Sequence, residues 1–385
     1  MSRIEQLIKE LRPDGVEWKT LGEVCLSVNA GGDLPENYKK GQILPTTEFP
    51  YPIYSNGCDN NALYGFTDKY KIDSDAVTIS ARGTIGYHNI REAKFTPIVR
   101  LISLVPNKEL ITTKFLNYIL DMTPIGGTNG GIPQLTVPTV KKVPIPIPPL
   151  PIQQEIVNIL DKFTALDTSL QAELEARKKQ YEHYRNQLLN FEGKGVEWKQ
   201  LGEIAYYPNS RISASEVNET NYVGVENLLQ NKQGKSLSNY VPTGGNLIEY
   251  KTHDILIGNI RPYLKKIWMA TNNGGTNGDV VVIRINSVFY LRIIPKYLHF
   301  ALSSDIFFDY NNQFAKGGKM PRGDKNAILK FKIPIPPLAE QERIVGILDK
   351  FDKLVNTELP AEIAARRKQY EYYREKLLNF DPPNN

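Results

Sequence analysis

The chain has few cysteines and histidines, and it has no long apolar run. Its two cysteines, Cys25 and Cys58, are far apart, and no histidines cluster near them, so we expect neither a disulfide framework nor a zinc site. No segment approaches the roughly 18 apolar residues that would span a bilayer. The amino-terminal residues are charged and periodic, without the apolar core of a secretory signal, so we expect a cytoplasmic protein.

Sequence motifs for catalysis are also lacking. The glycine runs at 126–131 and 274–279 do not end in the GK[ST] of a phosphate loop, so we expect flexible loops there. The DPPN at 381–384 lacks the aromatic residue of the amino-methyltransferase tetrad, and the spacing from Pro13-Asp14 to Glu17–Lys19 is too short for a PD…ExK nuclease. No nucleophile or acid partner can be assigned to the histidines, which are His88, His183, His253 and His299. We therefore predict no catalytic residue, no metal and no cofactor in this chain.

Composition and charge place only wide limits on function. A length of 385 residues predicts two to three domains. Hydrophobic residues make up 41% of the chain and charged residues 23%, which is typical of a soluble globular protein. The net charge of +5 permits a polyanionic partner such as DNA but does not by itself establish one.

What the chain does contain is two copies of one design. Three blocks recur in the same order, while the stretches between them barely resemble each other. A frame that is kept twice around two different inserts predicts two different recognition surfaces at a fixed distance. The blocks are GVEWKTLGE (15–23) and GVEWKQLGE (195–203), IPIPPLPIQQEIVNILDKF (145–163) and IPIPPLAEQERIVGILDKF (333–351), and ARKKQYEHYRNQLLNF (176–191) and ARRKQYEYYREKLLNF (365–380).

Each frame block predicts a proline-rich extended segment followed by a long helix. The alternating Ile and Pro residues favour extended or polyproline II chain leaving a domain. Apolar residues then recur at steps of three, four or seven, which is the narrow seam of a coiled coil. About 38 residues would form a rod of about 57 Å. The order of the parts favours antiparallel pairing in a circular, pseudo-twofold arrangement, although each helix could instead pack on its own domain. Pro360 predicts a kink or a break in the second helix.

The inserts predict two recognition domains of mixed α and β class. Strand-like runs lie at 76–80, 98–105, 254–257 and 280–285, and short helices at 114–120 and 296–302. The resulting division is an N-terminal helical segment (1–17), recognition domain one (18–144), a first frame helix (145–192), recognition domain two (193–332) and a second frame helix (333–385).

One loop after a strand in each insert carries residues suited to DNA. The turn at 80–86 places Arg82 and Thr84 among glycines, where the backbone can approach a partner closely. The segment 258–266 carries Arg261, Tyr263, Lys265 and Lys266. Arginine suits guanine edges and phosphate, and lysine suits phosphate. We therefore predict that these side chains contact DNA, although each of them alone also fits a solvated turn.

A second pair of loops aligns when residues are counted back from the two IPIPPL blocks. Residues 130–134 match residues 318–322, which sets Gln134 against Arg322. This difference predicts a preference for adenine in one domain and guanine in the other. Lys316 and Lys319 lie in the same basic loop, and we predict that they contact DNA as well.

The two variable domains, the IPIPPL-xxQ-xxIVxILDKF blocks and the ARxKQYExYR helices together resemble the specificity subunit of type I restriction-modification enzymes. The resemblance covers the whole chain. It implies that each domain recognises one half of a split, asymmetric site in double-stranded DNA. It also implies that the paired helices fix the spacer and bind two modification subunits, which carry S-adenosylmethionine and methylate adenine. Restriction subunits would carry the ATP-driven steps.

By this resemblance the chain itself has neither cofactor nor active site. The tyrosines of the repeated helix block would bind the partner subunits or form only the helix seam, and they are Tyr181, Tyr184, Tyr370 and Tyr373. Two alternatives stay open. The chain could be a scaffold of two protein-binding domains with no role in nucleic acid binding, or a stand-alone methyltransferase that uses the DPPN tail.

Overall fold

The computed structural model describes residues 6, 15–126 and 134–380, except for the side chains of residues 59 and 60. Four predicted regions lie wholly or mostly outside the described residues: the N-terminal helical segment (1–17), the loop residues 130–133, the glycine run at 126–131 and the DPPN tail. The chain divides into two compact units, of which unit 1 is Met1–Ser169 with Ala364–Asn385 and unit 2 is Leu170–Ile363. Each unit therefore contains one insert and half of each long helix. The predicted domain division treats each long helix as a segment of its own, whereas the two compact units each take part of both helices. The predicted domain boundaries stay a prediction.

Unit 1 combines two four-stranded sheets, a two-stranded ribbon and helices. Its strands are β1 (Glu17–Thr20), β2 (Cys25–Ala30), β3 (Tyr38–Lys40), β4 (Tyr51–Tyr54), β5 (Leu63–Thr67), β6 (Ala76–Ser80), β7 (His88–Arg91), β8 (Thr96–Pro97), β9 (Leu101–Pro106) and β10 (Pro144–Ile147). Its helices are α1 (Leu21–Val24), α2 (Thr113–Asp121), α3 (Val137–Lys141) and the start of the first long helix, α4 (Leu150–Leu188), with a 3₁₀ turn at Asp59–Ala62.

Unit 2 has the same kinds of elements. Its strands are β11 (Glu197–Gln200), β12 (Ala205–Tyr206), β13 (Arg211–Ser213), β14 (Tyr222–Val223), β15 (Asn246–Tyr250), β16 (Ile255–Gly258), β17 (Ile267–Met269), β18 (Gly274–Thr276), β19 (Val280–Ile285) and β20 (Lys332–Ile335). Its helices are α5 (Leu201–Ile204), α6 (Pro295–Leu302), α7 (Asp305–Gln313), α8 (Lys325–Lys330) and α9 (Leu338–Lys353), with 3₁₀ turns at Ala214–Glu216, Pro262–Leu264 and Ser287–Phe289. The second long helix comprises α9, a π-helical turn (Leu354–Glu358) and α10 (Leu359–Leu378).

Each unit has one four-stranded sheet whose strand order matches that of a sheet in the other unit, and a second sheet whose order does not match. The order β2-β9-β6-β7 in unit 1 matches β12-β19-β16-β17 in unit 2, with antiparallel neighbours throughout. The remaining sheets have the orders β3-β5-β4-β8 and β13-β15-β18-β14. The inserts therefore keep a common sheet even though their sequences have diverged. The prediction of mixed α and β domains is confirmed.

The repeated GVEW and IPIP blocks pair with each other as strands. Strand β1 is antiparallel to β10, with Trp18 opposite Pro146, and β11 is antiparallel to β20, with Trp198 opposite Pro334. The sequence predicted only extended chain leaving a domain, because a pairing across more than a hundred residues leaves no local signal. Prolines are tolerated here because a two-stranded ribbon has free edges, where no ladder donor is needed.

A buried glutamine fixes the start of each long helix to its own domain. Gln153 Nε2 donates to the carbonyls of Leu110 and Pro148, each at 2.8 Å, and its Oε1 accepts from the Thr112 amide at 2.9 Å. In unit 2, Gln341 makes the matching bonds to Arg292, Pro336 and Ile294 at 2.8–2.9 Å. Both glutamine side chains are fully buried. The repeated glutamine therefore ties the first turn of each long helix to its own domain.

The long helices pack against each other in antiparallel fashion within each unit. In unit 1, Phe163 stacks on Tyr373 with ring centroids 5.5 Å apart, and Asp167 pairs with Arg367 at 2.7 and 3.1 Å. In unit 2, Phe351 stacks on Tyr184 at 5.3 Å and on Tyr181 at 6.1 Å. As the residue number rises along the first long helix from Phe163 to Asp167, the number of its partner falls from Tyr373 to Arg367, so the two helices run in opposite directions. The predicted antiparallel coiled coil is confirmed, and its seam is made from the repeated ILDKF and QYExYR blocks.

Pro360 does not break the second long helix. The π-helical turn ends at Glu358, two residues before it, and the dihedral angles of Leu354 and Leu359 are helical. A proline lacks the N–H that the carbonyl four residues earlier would accept, and its ring clashes with that carbonyl in a regular α-helix. The wider π turn is a common site at which a helix accommodates such a disturbance. Of the predicted kink or break, the break does not occur and the helix type changes locally instead, while the kink stays a prediction.

Candidate nucleic-acid interface

The glycine-rich turn after β6 is held by hydrogen bonds on both sides. Gly83 and Gly86 have φ of 78° and 83°, in the left-handed region that favours glycine. Gly86 N–H donates to Ser80 O at 3.1 Å, and Asn56 Nδ2 donates to the carbonyl of Arg82 at 2.9 Å. The Arg82 side chain is half-buried and Thr84 is exposed. The turn is therefore an ordered support for these two predicted DNA contacts.

The imidazole of His88 contacts the backbone of the same turn at Gly86. Its Nδ1 lies 2.9 Å from Gly86 O, and its Nε2 lies 3.1 Å from Asn117 O and 3.3 Å from Asp121 Oδ1. Burial alone would lower the pKa of His88, but Asp121 and the two carbonyls together raise it above its ordinary value. A neutral imidazole has only one N–H, so both nitrogens can donate only when the ring is charged. The imidazolium form therefore fits this site best.

A backbone hydrogen bond brings the two predicted DNA loops of domain one together. Leu135 N–H donates to Ala81 O at 2.9 Å, which places Gln134 beside the turn that carries Arg82. Gln134 is exposed, and of its loop only this residue lies within the described part. Gln134 and the turn that carries Arg82, which the sequence singled out separately, thus lie side by side.

Domain two repeats this arrangement. Gly323 N–H donates to Asn259 O at 3.0 Å, the counterpart of the bond between Leu135 and Ala81. Arg261 N–H also donates to Pro321 O at 2.7 Å. The two loops of the second insert therefore meet in the same way, although their side chains differ from those of the first.

Glycine at 323 is required by the close approach of these loops. A Cβ atom there would lie 2.6 Å from Asn311 Oδ1 and 2.9 Å from Asn259 Oδ1. Both asparagine side chains are buried. They were missed by sequence reasoning, because nothing local to either residue indicates that the chain folds them under the loop.

Three of the six predicted cationic side chains of domain two are exposed, and they are Lys316, Lys319 and Arg322. Arg322 is 61% exposed and lies 2.9 Å from Asp279, and Lys316 is 81% exposed and lies 2.6 Å from Asp324. Pairs this exposed are weak in water, so these cations can exchange their carboxylates for phosphate or base edges. Lys319 and Tyr263 are exposed as well. The surface formed by these four residues can bind a polyanion.

Lys265 and Lys266 instead bond within the protein. Lys265 Nζ lies 2.6 Å from Asp305 Oδ1, and Lys266 Nζ donates to Val225 O at 2.7 Å. Burial lowers the pKa of Lys266, with Glu226 acting in the opposite direction. Both lysines remain predicted DNA contacts, but in this structure they tie the loop at 258–266 to the rest of the domain.

The four tyrosines proposed for partner binding differ in exposure. Tyr181 is buried in the seam, where its hydroxyl donates to Asp352 at 3.0 Å. Tyr370 is half-buried, and Tyr184 and Tyr373 are each 36% exposed. The packing of Tyr181 fits the seam alternative, whereas Tyr184 and Tyr373 present part of their rings to solvent.

The described residues do not assemble a metal centre. Within 15–126 and 134–380, no group of three or more His, Cys, Asp or Glu could hold a metal ion. Both cysteines are free, and burial raises the pKa of the Cys25 thiol to about 12. The helices of the same ranges include none that is long and apolar enough to cross a membrane.

The chain is similar, over nearly its whole length, to proteins of one family. The family model for the type I restriction modification DNA specificity domain matches residues 13–176 and 193–365. The EcoR124I/EcoR124II specificity subunit of Escherichia coli is 31% identical, with 100% of this chain and 99% of that protein covered. A putative type I restriction enzyme specificity subunit of Haemophilus influenzae, S.HindORF215P, is also 31% identical, over 97% and 98%. A crystal structure of the type I restriction-modification S subunit from M. genitalium matches in fold with a TM-score of 0.58, 16% identity, and 95% and 97% coverage.

Proposed function

Because the chain belongs to the type I restriction modification DNA specificity family, we propose that each of its two domains recognises one half of a bipartite, asymmetric DNA site. One observation carries this proposal. The bond from Leu135 to Ala81 in one domain and the bond from Gly323 to Asn259 in the other build the same two-loop surface. The side chains on that surface differ between the domains, so equivalent surfaces would bind unlike half-sites.

Domain one would contact DNA through Arg82, Thr84 and Gln134. Domain two would do so through Arg261, Tyr263, Lys316, Lys319 and Arg322, with Lys265 and Lys266 behind them. Arginine and glutamine can each make two hydrogen bonds to a base edge, and lysine contributes phosphate contacts. Each domain alone would bind weakly, and the two together would gain affinity through effective concentration.

The proposal is tested with the chain in complex with a modification subunit. DNA duplexes that vary one half-site at a time are titrated against wild type, Arg82→Ala and Arg322→Ala. We expect Arg82→Ala to lose discrimination at the first half-site only, and Arg322→Ala at the second only. Lys108→Ala is the matched control, because Lys108 pairs with Asp75 next to the start of β6, at the opposite end of that strand from Ser80.

Salt dependence separates this function from the protein scaffold. Each phosphate contact releases counterions, so binding that uses several lysines and arginines weakens steeply as salt rises, with a slope of about −0.9 per contact. Two half-sites that respond to different variants, together with a steep slope, would support the proposal. DNA binding that is absent or insensitive to salt would favour the scaffold.

We also infer that the helical frame binds the modification subunits and that this chain has no active site of its own. S-adenosylmethionine and ATP would then be bound only by the partner modification and restriction subunits. The two seams are built from the same repeated blocks. One joins Phe163 to Tyr370 and Tyr373, and the other joins Phe351 to Tyr181 and Tyr184. Equivalent surfaces support two modification subunits for each chain. Native mass spectrometry of the complex tests this ratio, and one modification subunit per chain would contradict it.

A further inference from the structure

Two loops of unit 2 hold an unusual concentration of strained backbone. Asn231 and Lys232 have φ of 55° and 64°, and Arg261 and Lys265 have φ of 52° and 50°. Non-glycine residues seldom adopt this left-handed region, and they persist there when the surrounding structure holds them. Two backbone bonds join the loops, from Asn231 N–H to Leu264 O at 3.0 Å and from Lys232 N–H to Lys265 O at 2.9 Å. The second loop is the one that carries the predicted DNA contacts.

The lysine side chains of both loops converge on two carboxylates. Lys232 Nζ lies 2.9 Å from Glu182 Oε1 and 3.1 Å from Asp305 Oδ1, and Lys265 Nζ lies 2.6 Å from the same Asp305 oxygen. The Lys232 side chain is only 9% exposed. Burial lowers the pKa of Lys232, while Glu182 and Asp305 act in the opposite direction. A buried ammonium group needs such partners, since removing them would leave a charge without compensation.

The network reaches the first long helix through Glu182. Arg185, one turn further along that helix, is buried and lies 3.1 Å from Glu182 Oε1. It also donates to Ser303 O at 3.1 Å, and its guanidinium lies 4.1 Å from the centre of the Tyr181 ring. Glu182 is therefore held in place on the helix, and Lys232 connects it to the DNA-facing loop.

Unit 1 supports its DNA-facing turn by other means. Glu371 is the counterpart of Glu182 in the repeated block, and within the described residues it forms no ion pair with a lysine. The turn there is held by Asn56 and His88. This difference gives a matched control within one chain.

We propose that Lys232, acting between Glu182 and Asp305, is a positioning residue that fixes the Arg261–Lys265 segment relative to the first long helix and so determines recognition of the second half-site. This proposal rests on the proposed function. Lys232 itself need not touch DNA, because its Nζ is occupied by the two carboxylates. Its loss would release the strained segment and change how Arg261 and Tyr263 approach the bases.

Lys232→Met tests the proposal, because it keeps the side-chain length and the backbone strain but removes the charge. Glu182→Gln is a second variant that keeps Lys232, and Glu371→Gln is the control. All are prepared as complexes with a modification subunit and titrated with duplexes altered in one half-site at a time. We expect Lys232→Met and Glu182→Gln to lose discrimination at the second half-site by about tenfold, about 1.4 kcal/mol. Discrimination at the first half-site should remain within about twofold, and Glu371→Gln should match wild type.

Other outcomes have distinct meanings. Discrimination at the second half-site retained within about twofold in both variants would overturn the positioning role. An equal loss at both half-sites in both variants would overturn it too, because it would indicate only a general loss of folding. A wild-type complex with no bipartite preference would instead refute the proposed function, which keeps the two failures distinguishable.

Discussion

Replacing the buried glutamine at the start of either long helix should destabilise the unit in which it lies. In Gln153→Met the side chain keeps its approximate size, but Leu110 O, Pro148 O and Thr112 N–H lose their partner. A buried polar group without a partner costs about 1–3 kcal/mol. Because some of these groups can reach water after a small movement, we expect about 3 kcal/mol in total. At about 2–4 °C per kcal/mol, the unfolding midpoint should fall by about 6–12 °C.

Two measurements check this prediction. Calorimetry gives the midpoint, and hydrogen exchange should show lost protection of the Thr112 amide in Gln153→Met and of the Ile294 amide in Gln341→Met. Gln154→Met is the control, because Gln154 is exposed and bonds only to Asn158 within its helix, so its effect should stay within about 0.5 kcal/mol. A midpoint within about 1 °C of wild type, with the Thr112 amide still protected, would refute this reasoning.

Three further predictions follow from the site and the seam. The raised pKa of His88 means that the stabilisation of its turn is complete below its unfolded pKa of about 6.5 and is lost as pH rises through its folded pKa. Hydrogen exchange at Gly86, after correction for intrinsic rates, should therefore lose protection as the pH rises above about 6.5 in wild type but not in His88→Gln. Arg322→Ala should cost about 1–3 kcal/mol at one base pair of the second half-site in competition titrations, and an unchanged preference there would contradict the assigned contact. Phe351→Ala should lower the free energy of unfolding of unit 2, measured in urea. A fully buried phenylalanine would cost about 3–5 kcal/mol, and the partly exposed ring of Phe351 should cost less. A change below about 1 kcal/mol would mean that the seam contributes little to stability.

The frame could be predicted from the sequence because its signal is local and occurs twice. The apolar steps that include Phe163 and Tyr370 predicted a coiled-coil seam, and the order of the parts predicted that it is antiparallel. The two rings do meet across the seam, tilted and with centroids 6.2 Å apart. The two candidate loops of each domain were also found from the sequence. Their contact was not, because the bond between Leu135 and Ala81 joins residues more than fifty positions apart.

Roles that depend on distant partners could not be predicted. Lys265 has the composition of a DNA contact, but its ion pair with Asp305 depends on a helix forty residues away. The same holds for Lys232, whose partner Glu182 lies in another element. The repeated glutamine was visible as Gln153 and Gln341, but the backbone groups it binds have no sequence signal at all. Pro360 gave a correct location for a disturbance of the second long helix, which takes the form of a π-helical turn rather than a break.

We propose that two unlike domains on one frame recognise two unlike half-sites. The most direct test is to co-express the chain with a modification subunit and map methylated adenines across the genome of the host. The account predicts one split motif, with two different halves separated by a spacer of constant length. A continuous palindromic motif, or methylation without sequence preference by an active complex, would contradict it.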